Sequence, residues 1–258
     1  MLWIKYRVFY DKEGGTKIDT IYDEELMKIP FYRIHKSYLP FIGGKYKEFK
    51  ILQVAESHYI EQGEGNIKFY IRDFHDNWWN DKDLDFTNKL NCPKNIDTRI
   101  VAGQNFCDGG RKSRAYGVFR NPLQVFEKIK NLERKDNNYN YFAFMNFFQM
   151  PALVRKMGFW KSLETCRGDW ENGEEEVWKE TCIKSVEIFD AVVDIIKPNL
   201  IIFTSKSAYN AYNTYDGKYK DKVKNVDHPC SIWWHKRKKN GLKNGKEKFT
   251  DILNDLNL

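Results

Sequence analysis

Glu56, Asn146 and His228 each follow a short apolar run. A carboxylate can activate a water, an amide can read a base edge through a paired donor and acceptor, and an imidazole can stabilise a developing oxyanion. Far apart in the chain, they can share one reaction only if a fold brings them together. Each also has a plainer use. Glu56 can cap a helix or pair with a lysine, Asn146 can form a turn, and His228 can be a structural histidine.

His228 opens the segment His228-Pro229-Cys230-Ser231-Ile232-Trp233-Trp234-His235-Lys236-Arg237-Lys238-Lys239, in which large apolar side chains precede a run of cations. Such cations neutralise phosphates, and an apolar wedge can unstack a base step. The chain carries a net charge of +7, yet residues 217–248 alone hold 11 Lys/Arg against 3 acids, so the remainder is nearly neutral. Charge of one sign gathered in one segment steers polyanions. A second basic group, Arg111, Lys112 and Arg114, follows Gly109-Gly110 and reads equally as a DNA contact or a solvated loop. Trp233-Trp234 can instead anchor the last helix.

At 258 residues the chain can bury a substantial core, and an aromatic share of 16% must fill it or line a stacking site. No apolar run is long enough to span a bilayer, and the N-terminus lacks a secretory signal pattern. The cysteines at 92, 107, 166, 182 and 230 are odd in number, with no C-x-x-C, which argues against a disulfide framework or a zinc site. Reduced, cytoplasmic thiols are expected.

Four β-rich runs must position the three polar residues: Lys50–Glu56, Tyr141–Phe148, Leu200–Ser205 and Val223–Val226. Helical patterns separate them. One opens at Asn121-Pro122 and runs through Arg134, one spans Glu174–Ile196 with acids in its first turn, and one closes the chain over Lys246–Leu256. A short helix is expected over Asp23–Lys28, irregular structure over 30–46, and no periodicity over 90–120. Alternation of this kind implies βαβ units and a buried parallel sheet, whose ligands bind beyond the carboxyl ends of the strands.

The order of these motifs resembles the uracil-DNA glycosylase superfamily, from about Lys50 to the C-terminus. Val54-Ala55-Glu56-Ser57-His58-Tyr59 stands where the family has its water-activating acidic motif, Phe144-Met145-Asn146 where it has Leu-Leu-Asn, and His228-Pro229-Cys230-Ser231-Ile232 where it has His-Pro-Ser-Pro-Leu. The resemblance implies a three-layer α/β/α sandwich with a central four-stranded, mainly parallel sheet. It implies a single glycosylase-like domain over 1–258, with 1–49 as an N-terminal extension packed on it and 90–120 as an insertion loop. Glu56 and His228 become the catalytic pair. Asn146, His58 and Phe69 become base-binding, with Tyr70 and Phe74 as alternatives to Phe69. Ser57, Ser231, Ile232 and Trp233 face DNA together with Lys236, Arg237, Lys238, Lys239, Arg111 and Arg114.

The implied activity is monofunctional: a base is flipped from DNA and its N-glycosidic bond hydrolysed, leaving an abasic site. His58 replaces a tyrosine that blocks 5-substituted pyrimidines in the uracil-specific branch, so the substrate is uracil or a 5-modified pyrimidine, in repair or anti-phage defence. No metal or other cofactor is implied. Cys166 and Cys182 match one pair of an iron–sulfur branch, but the upstream cysteine pair is missing. The partner is DNA, with no membrane, for a monomer in the cytoplasm of a bacterial or phage-type setting or otherwise intracellular with DNA. Two other classes stay open: a non-catalytic DNA-binding protein on the same scaffold, and a hydrolase of free nucleosides or nucleotides.

Overall fold

The computed structural model describes residues 18–59, 78–79, 97–107, 116–152, 158–165, 173–237 and 241–255. Its strands are β1 (Phe41–Ile42), β2 (Ile51–Ala55), β3 (Phe142–Asn146), β4 (Leu200–Phe203) and β5 (Val223–Asn225). They form one sheet in the order β1-β3-β2-β4-β5. The last four run parallel, with Ala55 level with Asn146 and Val54 level with Phe203.

The sheet therefore has five strands and is mixed, where the sequence predicts four. Phe41 and Ile42 pair antiparallel with Phe144 and Ala143. Two residues are too few to show alternation, so partner pairing alone makes them a strand. Part of segment 1–49 thus belongs to the sheet, and the stretch expected to be irregular also holds a helix at Pro30–Ile34.

Along β2, Leu52 and Val54 enter one core while Ile51 and Ala55 enter the other, as the two-residue period of a strand requires. The first core packs α1 (Asp23–Leu26), α2 (Pro30–Ile34), α3 (Tyr46–Phe49), and later helices Gly158–Thr165, Glu174–Ile196 and Lys206–Thr214 against the sheet. The second packs Gly117–Ile129 and Gly245–Asp255 on the opposite face. Because both faces are covered, the central strands are buried throughout. In chain order the remaining helices are α4 (Gly117–Ile129), α5 (Gly158–Thr165), α6 (Glu174–Ile196), α7 (Lys206–Thr214), α8 (Ile232–His235) and α9 (Gly245–Asp255).

Helix α6 has the bounds read from sequence. It stops because Lys197 adopts a left-handed conformation (φ 48°) and Pro198 cannot continue the helix. Helix α4 differs. It begins at Gly117, so Pro122 lies inside it and not at its first turn. A proline there has no N–H for the carbonyl four residues back, that of Val118. Gln53 of β2 supplies the missing donor, with Nε2 at 2.9 Å from the Val118 oxygen, and its Oε1 accepts from the Tyr139 hydroxyl at 3.0 Å. The helix also ends earlier than Arg134, at Ile129, followed by left-handed Asn131. Within the stretch expected to be a loop, Ile100–Cys107 forms a π-helix and Gly117 already starts α4. No helix among the described residues is long and apolar enough to cross a membrane.

Candidate active site

The parallel register places the ends of β3, β2, β4 and β5 along one edge. Asn146 is the last residue of β3, Glu56 follows β2, Ser205 begins two residues after β4, and His228 lies three residues beyond β5. Neighbouring strands are about 4.8 Å apart, so Asn146 and Glu56 are next to one another while β2 and β5 are separated only by β4.

Glu56 is half-buried, and both its oxygens are engaged. Oε1 accepts from the backbone N–H of Phe159 at 2.8 Å, and Oε2 accepts from the Ser205 hydroxyl at 2.9 Å. Ser205 is in turn the N-cap of α7, accepting from the N–H of Ala208 at 3.3 Å. The capping use of Glu56 open to it from sequence is therefore realised. A carboxylate offers about four lone-pair positions, so two are left for a water.

His228 sits in a turn closed by Ser231 N–H to its own carbonyl (2.8 Å). Its Nδ1 accepts from the backbone N–H of Cys230 at 3.1 Å. A backbone amide can only donate, so the neutral ring carries its proton on Nε2. The ring reaches solvent yet is crowded by protein. Loss of solvation lowers its pKa below the ordinary value, while the Glu56 carboxylate pulls the other way. The turn is also tied to α4: Asn121 Nδ2 donates to the Pro229 carbonyl at 2.6 Å, and a Cβ at Gly117 would lie 2.8 Å from the Cys230 sulfur.

Asn146 is buried, and among the described residues its side-chain amide has no hydrogen-bond partner. Its carbonyl is held by Gln149 Nε2 at 2.5 Å. His58 is buried, with Nε2 hydrogen-bonded to Thr98 Oγ1 at 2.9 Å and its ring edge-on to Tyr38. Phe69, Tyr70 and Phe74 lie outside the described residues, as do Arg111, Arg114, Lys238 and Lys239. The hydroxyls of Ser57 and Ser231 are buried without a partner among the described residues. An ordered water or a bound polar group is the usual resolution of such an orphan.

Adjacent tryptophans have opposite fates. Trp234 is 1% exposed and packs on Phe249 of α9, whereas Ile232 and Trp233 are 55% and 44% exposed. The short helix α8 thus presents two apolar side chains four and five residues from His228. Beyond it, Arg237 makes a two-pronged ion pair with Glu247 and Lys236 is exposed. The basic segment is not one patch. Lys218 pairs with Asp194 near the end of α6, before β5 begins, whereas Lys236 and Arg237 follow its far end.

No family model, curated protein or solved structure matches the chain. Sequence reasoning overlooked Phe159 and Ser205 as partners of Glu56, although a serine between an apolar strand and a helical run is an N-cap signal. It also overlooked Lys206, exposed at the first turn of α7 on the same edge. Two adjoining clefts of about 500 and 330 Å³ lie elsewhere, sharing Trp160, Trp178 and Tyr215 between α5, α6 and α7. Among the described residues there is no cluster of three or more His, Cys, Asp or Glu able to hold a metal ion. Cys182 and Cys230 are free thiols, the Cys107 sulfur donates to the Ala102 carbonyl at 3.4 Å, and burial raises the pKa of Cys182.

Proposed function

We propose that the chain is a DNA glycosylase of uracil-DNA glycosylase type, acting on uracil or a 5-modified pyrimidine. The observation that carries this reading is the Nε2–H of His228, fixed by the Cys230 amide, on the sheet edge that also bears Glu56 and the unengaged Asn146 amide. In the reaction, a water held on the free lone pairs of Glu56 adds to the anomeric carbon as the bond to the base nitrogen breaks. The electron pair of that bond leaves with the base, and His228 Nε2–H stabilises the resulting charge on a pyrimidine oxygen. The water proton passes to Glu56 and the base acquires one from solvent, so the products are free base and an abasic site.

Asn146 reads the extruded base through its amide. Ile232 and Trp233 fill the gap in the stack, offsetting a flipping cost of a few kcal/mol. Lys236 and Arg237 contact phosphates in this reading, with Lys238, Lys239, Arg111 and Arg114 as further candidates. The setting is one where DNA is present, the cytoplasm of a bacterial or phage-type system, in repair or in defence against modified DNA.

The deciding experiment is a panel of oligonucleotides bearing uracil, mismatched thymine, hydroxymethylcytosine and glycosylated cytosine, read by alkaline cleavage and by the mass of the released base. Release of base by the wild type and its loss in Glu56→Gln supports the reading. No release from any substrate rejects it. A second reading, DNA binding without catalysis, is favoured by the engagement of both Glu56 oxygens. It predicts tight, salt-sensitive duplex binding with no product from wild type or Glu56→Gln.

A further inference from the structure

We propose that Ser205 and the Gly158–Phe159 turn are the positioning elements of Glu56, setting the plane of its carboxylate for the water it activates. The catalytic consequence rests on the glycosylase reading, whereas the tether itself is a matter of geometry. The two donors come from different parts of the chain and grip different oxygens, the Phe159 amide on Oε1 and the Ser205 hydroxyl on Oε2. One donor would leave the group free to rotate about its last bond. Two donors on separate oxygens fix its plane and leave one lone pair on each oxygen pointing elsewhere.

Both donors are themselves held. Phe159 is wholly buried, stacked on Phe148 with centroids 4.9 Å apart. Ser205 is buried, and its oxygen accepts from the first turn of α7, which orients its own hydrogen toward Glu56. The approach of the Phe159 amide depends on glycine at 158. Its φ is +83°, and a Cβ there would lie 2.7 Å from Glu56 Oε1. The atom in the way is the end of a flexible side chain, so a methyl group at 158 would push the carboxylate aside, and it would also strain a backbone whose φ L residues rarely adopt. Gly158 therefore acts as the space into which Glu56 reaches, and the sheet edge meets α5 and α7 at a single carboxylate.

The test compares Ser205→Ala, Ser205→Thr and Gly158→Ala with wild type, by single-turnover base release, duplex affinity and the NMR signal of the Phe159 amide. The expected result is a loss of at least tenfold in single-turnover rate for Ser205→Ala and Gly158→Ala, with duplex affinity within twofold of wild type. Ser205→Thr, which keeps the hydroxyl, should restore the rate. The Phe159 amide proton should shift in Glu56→Gln, Ser205→Ala and Gly158→Ala, and stay in place in Ser205→Thr. An unmoved Phe159 amide in Ser205→Ala overturns the tether, as does equal loss of rate in Ser205→Ala and Ser205→Thr. Should the wild type release no base while the amide responds as expected, the tether stands and the glycosylase reading fails.

Discussion

Trp233 and Trp234, neighbours in sequence, face opposite ways: Trp234 is sealed against Phe249 and Trp233 projects into solvent beside Ile232. A buried tryptophan removes about 150–250 Å² from water, roughly 4–6 kcal/mol at about 25 cal/mol per Å². Trp234→Ala should therefore cost about 3–5 kcal/mol in a denaturant melt. Trp233→Ala and Ile232→Ala should stay within about 0.5 kcal/mol of wild type and weaken duplex affinity instead. Equal destabilisation by Trp233→Ala and Trp234→Ala would contradict the division of labour.

His228 should show its environment in a pH profile. Crowding lowers its pKa below the ordinary 6.5, so the neutral ring with its Nε2 proton persists as pH falls past that value. A rate that depends on neutral His228 should hold through pH 6.5 and decline only at lower pH. His228→Ala should lose turnover while keeping most DNA affinity. An acid limb centred above 6.5 would argue against the crowded imidazole.

His35 supplies an acid-lability prediction. Its Nε2 donates to the Trp78 carbonyl at 2.8 Å, its ring stacks on Trp78, and burial lowers its pKa to about 4. The folded state then holds fewer protons than the unfolded one between pH 6.5 and about 4. The associated stability is present above pH 6.5 and is lost as pH falls through that window, by on the order of 3 kcal/mol. Urea melts of wild type and His35→Phe across pH 4–7 should differ in slope, the variant being flatter. Parallel curves would show that His35 is not the acid-sensitive group.

The two cations after α8 should contribute unequally to DNA binding. Lys236 is exposed, whereas Arg237 is already paired with Glu247. Lys236→Ala should lower the slope of log affinity against log salt by about one, since each phosphate contact contributes about 0.9. Arg237→Ala should lower it by less, because breaking its pair frees Glu247 and the cation's charge was partly spent inside the protein. Equal slopes for the two variants would place both on phosphates.

Much of this architecture was legible because it is local. Acids, a long apolar face and Lys197-Pro198 define α6 within one window, and dense apolar runs define β2, β3 and β4. Strand β1 was not legible, since two residues show no period and only pairing with β3 makes them extended. The start of α4 was misread because Pro122 is a good first-turn residue. What lets it sit inside the helix is Gln53, a donor on another strand that no local pattern reveals. The basic segment is likewise interrupted by β5, with Lys218 before it and Lys236 and Arg237 after it. At the site, the strand-end residues were readable from their apolar approaches. The partners of Glu56 were not, since Phe159 contributes a backbone amide that any residue would carry.

The sheet is widest at its centre and ends in very short strands, two residues in β1 and three in β5. The outer side of β1 is itself occupied, with Asp19 N–H on the Ile42 carbonyl at 2.8 Å and a bridge from Ile18 to Gly43. Lengthy unpaired rims are what template fibre growth and misassembly between molecules. Because open ladder positions are few among the described residues, concentrated solutions should precipitate through side-chain patches such as Ile232 and Trp233 before they convert to cross-β material.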